Sequence, residues 1–238
     1  MHVVLRAARG ASSRLAAVAT PRAPIPAGLR FAQPSLPPPP RLLSTQPRSQ
    51  RGERGLLFAE LKRCRRGEDV ARLETRLLPL RTTKEWTKLI SAHARVGDRR
   101  RAFGLLDEMR QAGCEPDVFS YSILINLCAR SKDWKTAVSL LREMPGAGVQ
   151  PDVVSYNATI SACEKAGRWE KAVSLLREMP AAGVQPNVVS YNATISACEK
   201  AGHWEKALSL MREMPAAGVQ PDVISYNATI SACEKASE

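Results

Sequence analysis

Between residues 83 and 238 the apolar positions recur at helical spacing, in short segments separated by Gly and Pro. Trp169, Ala172, Val173, Leu176 and Met179 follow the i, i+3, i+4, i+7 rhythm of one buried helix face. In the segment before them, Tyr156, Ile160 and Cys163 fall at i, i+4, i+7 and should also pack inside. The pattern predicts two helices, roughly Val154 to Lys165 and Trp169 to Met179. Ala166-Gly167 supplies the turn between them, because Gly takes the left-handed conformation that ends a helix. Pro180 disfavours helical geometry at the residue before it, and Gly183 and Pro186 complete the connection onward.

This two-helix pattern repeats with a period of 35 residues. The run from Val153 to Lys165 recurs almost unchanged from Val188 and from Val223, and related patterns begin at Val118 and Thr83. Four full units therefore span 83–117, 118–152, 153–187 and 188–222, and a fifth begins at Val223. A degenerate helical segment at 56–82 precedes them. A lone hairpin cannot bury its apolar face, whereas stacked neighbours can. The expected fold is all-α: a right-handed α-solenoid of stacked helical hairpins, with a disordered N-terminal segment over 1–55.

The first helix of each unit carries a second, polar stripe. Asn157, Ser161 and Lys165 lie at i, i+4, i+8, and the stripe recurs as Asn192, Ser196, Lys200 and as Asn227, Ser231, Lys235. Earlier copies read Ser122, Asn126, Arg130 and Thr87, Ser91, Arg95. Stacking would line these groups into one groove of hydrogen-bonding side chains beside the cations Arg95, Arg130, Lys165, Lys200 and Lys235. Such a groove suits a strand with bases on one side and phosphates on the other. The plainer account is that these cations merely complement the helix C-termini.

Composition sharpens the picture by subtraction. The net charge is +12, but residues 1–55 hold nine Arg and one acid, while 83–238 hold 19 basic and 18 acidic residues. The basic character thus belongs mainly to the N-terminus. From Met1 to Arg51 there is no Asp, Glu or Lys, and Pro21 to Pro47 contains nine Pro. Val3 to Arg9 suits a short basic amphipathic helix, and Arg6, Arg9 and Arg14 interrupt any apolar core of a secretory signal. The segment is expected to be an organelle transit peptide, for the mitochondrion or alternatively the plastid. No run approaches the ~20 apolar residues of a membrane span.

The period, the Tyr-Asn pair in the first helix and the closing Pro-Asp or Pro-Asn make residues 83–238 resemble the pentatricopeptide repeat family. The tetratricopeptide pattern of Trp-Leu-Gly is absent. The resemblance implies single-stranded RNA binding in an organelle, in support of RNA processing, stability, splicing or translation. It also implies that the fifth and last residues of a unit jointly select a base and the second residue flanks it. The pairs Thr87 with Asp117 and Ser122 with Asp152 would favour G. Asn157 with Asn187 would favour a pyrimidine, C before U, and Asn192 with Asp222 would favour U. Asn227, without a closing partner in the sequence, implies a pyrimidine. Phe119, Val154, Val189 and Ile224 suit base flanking, and Lys84 departs from that apolar norm. The implied preference is G-G-(C/U)-U-pyrimidine.

Capping alone would also explain Asp117, Asp152, Asn187 and Asp222, each a good helix N-cap worth about 1 kcal/mol. Cys128, Cys163, Cys198 and Cys233 recur on the packed side of the first helix and read as small buried apolar residues, not metal ligands. His93 and His203 read as structural or solvated. No phosphate loop, nucleophile elbow or paired-carboxylate motif is present, so neither catalysis nor a cofactor is expected. Two other functions fit the same architecture. One is a protein-interaction scaffold; the other is the N-terminal substrate-binding part of a truncated enzyme resembling protein-only RNase P, whose catalytic domain is missing here.

Overall fold

The computed structural model describes residues 48–235, with side chains from residue 52. Of the transit-peptide and disorder assignment over 1–55, residues 1–47 fall outside this range, and residues 48–55 are helical rather than disordered. Eleven α-helices and one 3-10 turn make up the described chain, in hairpin order. Helices α1 (Arg48–Arg63) and α2 (Gly67–Leu77) come first, and α3 (Thr83–Val96) and α4 (Arg99–Gln111) form the first unit. The next three units are α5 (Val118–Arg130) with α6 (Trp134–Gly146), α7 (Val153–Lys165) with α8 (Trp169–Ala181), and α9 (Val188–Lys200) with α10 (Trp204–Glu213). Helix α11 (Val223–Lys235) opens the fifth. The first helix, α1, begins at the residue after Pro47, N-terminal of the boundary read at residue 55, where the run of helix-breaking prolines ends.

The first helices α3, α5, α7, α9 and α11 pack side by side into one continuous layer. Each second helix packs on its own first helix and on the next unit's, which makes the outer layer of a solenoid. The core forms where the sequence periodicity placed it. Tyr156, Ile160, Cys163, Ala172, Leu176 and Met179 are all buried, and Trp169 and Val173 pack partly buried against them. Small residues such as Ala92, Ala162 and Ala197 are fully buried and let neighbouring helices approach closely.

Two corrections concern helix ends and edges. Pro145 and Pro180 lie inside the last turns of α6 and α8 and do not stop them. Each forfeits one i→i−4 hydrogen bond in the final turn, and the chain is turned instead by Gly183, at φ 74°. There Val184 N–H reaches the Met179 carbonyl at 2.9 Å and Gly183 N–H the Pro180 carbonyl at 3.0 Å, the paired bonds of a Schellman cap. In the next unit α10 ends at Glu213, and Pro215 opens the 3-10 turn Pro215–Ala217. The second correction is Cys233, which is partly exposed while Cys128, Cys163 and Cys198 are buried. Nothing among the described residues covers the far side of α11, so Tyr226 and Ile230 are half exposed too.

The degenerate pair is joined to the array by a buried polar cluster. Glu74 of α2 accepts from His93 Nε2 at 2.9 Å and from Arg101 Nε at 2.8 Å, and His93 Nδ1 lies 3.3 Å from Asp98. Burial opposes the charge on Glu74, but the hydrogen bonds from His93 and Arg101 outweigh it and hold the carboxyl below its ordinary range. His93 is thus structural, and His203 stacks on the Trp169 ring at 4.1 Å between centroids.

Candidate nucleic-acid interface

The groove is built at the junctions between units. Asp117, Asp152, Asn187 and Asp222 are the N-caps that the sequence suggested: the Oδ1 atom of each accepts the backbone N–H three residues on, at 2.8 to 3.1 Å. Capping does not exhaust them. Each closing residue is also joined to the fifth residue of its own unit, some 30 positions earlier.

Where the fifth residue is Asn the joint is direct. Asn192 Nδ2 donates to Asp222 Oδ1 at 2.9 Å, and Asn157 Nδ2 donates to Asn187 Oδ1 at 3.2 Å. Where the fifth residue is a hydroxyl the joint runs through a serine of the next unit. Thr87 Oγ1 lies 2.9 Å from Ser120 Oγ, which donates to Asp117 Oδ1 at 2.8 Å. Ser122 Oγ lies 3.1 Å from Ser155 Oγ, which donates to Asp152 Oδ1 at 2.8 Å. Hence four predicted pairs are four hydrogen-bonded clusters. The fifth, Asn227, stands exposed on α11.

All of these bonds use Oδ1 of the closing residue. The other terminal atom accepts or donates none of them, and it is a carboxylate oxygen in Asp222 but an amide nitrogen in Asn187. Asp and Asn are therefore equivalent as caps and opposite as partners for a ligand, an acceptor against a donor. The Ser225 backbone N–H, followed by the Asn192 amide, holds the Asp222 carboxyl below its usual range, so it is charged at neutral pH.

Beside each cluster stands an exposed apolar side chain. Phe119 is 68% exposed, Val154 53%, Val189 54% and Ile224 62%. Lys84 is exposed at the equivalent place in the first unit. At that end of the groove Phe119 and Thr87 share a pocket of about 250 Å³ with Phe58, Lys88 and Ile123.

The basic row is less uniform than its sequence. Arg95 donates to the carbonyls of Leu61 and Lys62, and Arg130 to that of Ala94 at 3.2 Å, each tying a unit to the helix end before it. Lys200 Nζ lies 2.6 Å from Glu164 and Lys235 Nζ 2.8 Å from Glu199, and the stripe serines Ser196 and Ser231 bind the same two carboxylates. Burial opposes the charge of Glu199, but Lys235 and Ser231 outweigh it and hold its carboxyl below the ordinary range. The residue equivalent to Glu164 one unit earlier is Ala129, so Lys165 has no such acid and stands exposed. Sequence reading missed these glutamates and the junction serines. The signal was present, since the serines recur every 35 residues from Ser120 and the glutamates from Glu164, but their partners lie 32 to 36 positions away and no local pattern joins them.

Among the described residues no group of three or more His, Cys, Asp or Glu is placed to hold a metal ion, and no helix is long and apolar enough to cross a membrane. Burial pushes the thiols of Cys128, Cys163 and Cys198 up to about 11, as expected of packing residues.

Comparison with known proteins places this geometry. No curated protein sequence matches the chain. Among solved structures, the pentatricopeptide repeat protein PPR10, in complex with an 18-nt psaJ RNA element, is 31% identical with a TM-score of 0.62. That alignment covers 77% of this chain and 27% of PPR10, so the chain spans about a quarter of that protein's length. The repeat domain of Arabidopsis thaliana protein-only RNase P 1, in complex with tRNA, shares the fold at 20% identity and a TM-score of 0.53, over 62% of this chain and 81% of that domain. Nuclear proteinaceous RNase P 2 from the same plant shares it at 16% identity and a TM-score of 0.55, over 64% of this chain and 35% of that one. The profile of the pentacotripeptide-repeat region of PRORP matches residues 81–238, two thirds of the sequence, and the chain belongs to the pentatricopeptide repeat family.

Proposed function

We propose that this protein binds single-stranded RNA and selects bases one unit at a time, without carrying out a reaction of its own. The observation that carries this reading is the joining of the fifth and closing residues into one hydrogen-bonded cluster per unit, with an exposed apolar side chain beside each. Unpaired bases are recognised by such a combination, an apolar surface for the ring and fixed polar groups for its edge. The solved complexes of PPR10 with an RNA element and of the RNase P 1 repeat domain with tRNA support it.

The base preference that follows is G-G-(C/U)-U-pyrimidine, read from the pairs headed by Thr87, Ser122, Asn157, Asn192 and Asn227. Of the five cations, Lys165 is the free phosphate contact. Lys200 and Lys235 carry charge already matched by Glu164 and Glu199, and Arg95 and Arg130 hold the stack. The site of action is an organelle, the mitochondrion before the plastid, on the strength of the acid-free, Arg-rich segment before residue 52. Fusing residues 1–55 to a fluorescent protein tests this: mitochondrial import is expected, and cytosolic fluorescence would contradict it.

A second reading is favoured by the match to the repeat region of PRORP: the array is the substrate-binding part of an RNase P-like enzyme. One titration separates the readings. Fluorescence anisotropy with an unstructured RNA containing GGCUU should show tighter binding than with its complement or with a folded tRNA. Preference for the tRNA supports the second reading, and no binding to any RNA at moderate salt leaves a protein-interaction scaffold.

A further inference from the structure

We infer that the junction serines Ser190 and Ser225 are specificity-determining residues, which set whether the fifth residue of the preceding unit presents a donor or an acceptor to the base. The inference rests on the base-reading function proposed above. Both serines are fully buried, and each is the third residue of a first helix. Ser225 Oγ donates to Asn192 Oδ1 at 2.5 Å and Ser190 Oγ to Asn157 Oδ1 at 2.6 Å, each shorter than the same hydroxyl's contact to its helix cap, at 3.0 and 3.1 Å.

An amide side chain has two orientations that occupy the same space and differ only in which terminal atom is N and which is O. Here the serine proton claims Oδ1, and the closing residue claims one hydrogen of Nδ2. One N–H is then left for a ligand, and the Asn units present a donor. In the hydroxyl units the same position works the other way. Ser155 gives its proton to Asp152, so the Ser122 hydroxyl can only donate to Ser155 and keeps a lone pair for the ligand. Thr87 spends its proton on Ser120 or on the Thr83 carbonyl, 2.8 Å away, with the same result. The polarity read by a base is therefore a property of three residues, not two.

The two Asn units are not equally dependent on their serine. In 188–222 the charged Asp222 also enforces the amide orientation, since a flipped Asn192 would set its oxygen against a carboxylate. In 153–187 the partner Oδ1 belongs to the neutral Asn187 and opposes a flipped Asn157 more weakly, so Ser190 carries more of the restraint. The test is selection from a randomised RNA pool by the full chain and by Ser190→Ala, Ser225→Ala, Ser190→Thr and Asp222→Asn variants, each checked by circular dichroism. For Ser190→Ala, discrimination at the third step is expected to fall about fivefold, the worth of one misplaced hydrogen bond. The other steps should stay unchanged, Ser225→Ala should lose less at its own step, and Ser190→Thr, which keeps the hydroxyl, should restore the third. A uniform loss of affinity with every base ratio intact would make the serines mere helix caps and overturn the inference. Failure of the base reading itself has a different signature: Asp222→Asn would then leave the fourth step unaltered.

Discussion

Removing one carboxylate should strengthen RNA binding. Glu164 is 16% exposed and sits 2.6 Å from Lys200, whose own side chain is about half exposed. A pair this open contributes at most about 1 kcal/mol to stability, so Glu164→Gln should leave the fold intact. Its effect on the groove is larger, because it removes a negative charge from the strand's path and frees one cation. Each phosphate contact on a single strand adds about 0.7 to the slope of log K against log salt. Between 50 and 200 mM salt, one contact is therefore worth roughly a threefold change in affinity. The slope is expected to steepen by about one contact in Glu164→Gln. In Lys165→Ala, which removes a cation with no acid beside it, it should flatten by about the same amount, and in Lys200→Ala by clearly less. Anisotropy titrations of one RNA at four salt concentrations measure all three. Equal slopes for Lys165→Ala and Lys200→Ala would refute the reasoning, because the matched charge of Lys200 would then make no difference.

Two further expectations concern stability. Lys132 holds φ 59° at the turn where Gly97, Gly167 and Gly202 stand in the other units. The left-handed conformation costs a non-Gly residue about 1–2 kcal/mol, and glycine returns part of that as unfolded-state entropy, so Lys132→Gly should gain about 0.5–1 kcal/mol in urea unfolding. Asp133 is the other: burial opposes its charge, but Thr136 and Arg99 outweigh this and bring its carboxyl down to about 2. A depressed carboxylate stabilises the fold above its unfolded value near 4, and that stability is lost as pH falls from about 4 to 2. Discounted for partial exposure, the contribution is about 1–2 kcal/mol. Asp133→Asn should flatten the acid limb of the pH–stability curve over that range, and an unchanged limb would show that the ion pair does not form.

The architecture was legible because each unit repeats one simple rule. Tyr156, Ile160 and Leu176 mark buried faces by spacing alone, and Gly167 and Gly183 mark turns by the conformation only glycine takes cheaply. The terminus of α8 was misread because Pro180 sits in its last turn, where its ring breaks only one hydrogen bond and the cap bonds come from residues beyond. The candidate site was legible as positions but not as chemistry. That Asn192 and Asp222 matter together followed from family resemblance; that they touch, through Oδ1 and with Ser225 as third member, depends on the stacking of one unit on the next. The same stacking turned a row of five cations into one free lysine, two matched lysines and two structural arginines. Lateral neighbours in a solenoid are about one repeat apart in sequence, and helical periodicity within a unit says nothing of them.

The central claim is that closing and fifth residues select bases through the terminal atoms that capping leaves free. Asp222→Asn tests it most directly, since it exchanges one oxygen for a nitrogen and keeps a cap of equal strength. Selection from a randomised RNA pool with the original chain and this variant should move the fourth position from U to C, with the other positions and the melting temperature unchanged. An unchanged base at the fourth position in a folded, RNA-binding variant would contradict the account.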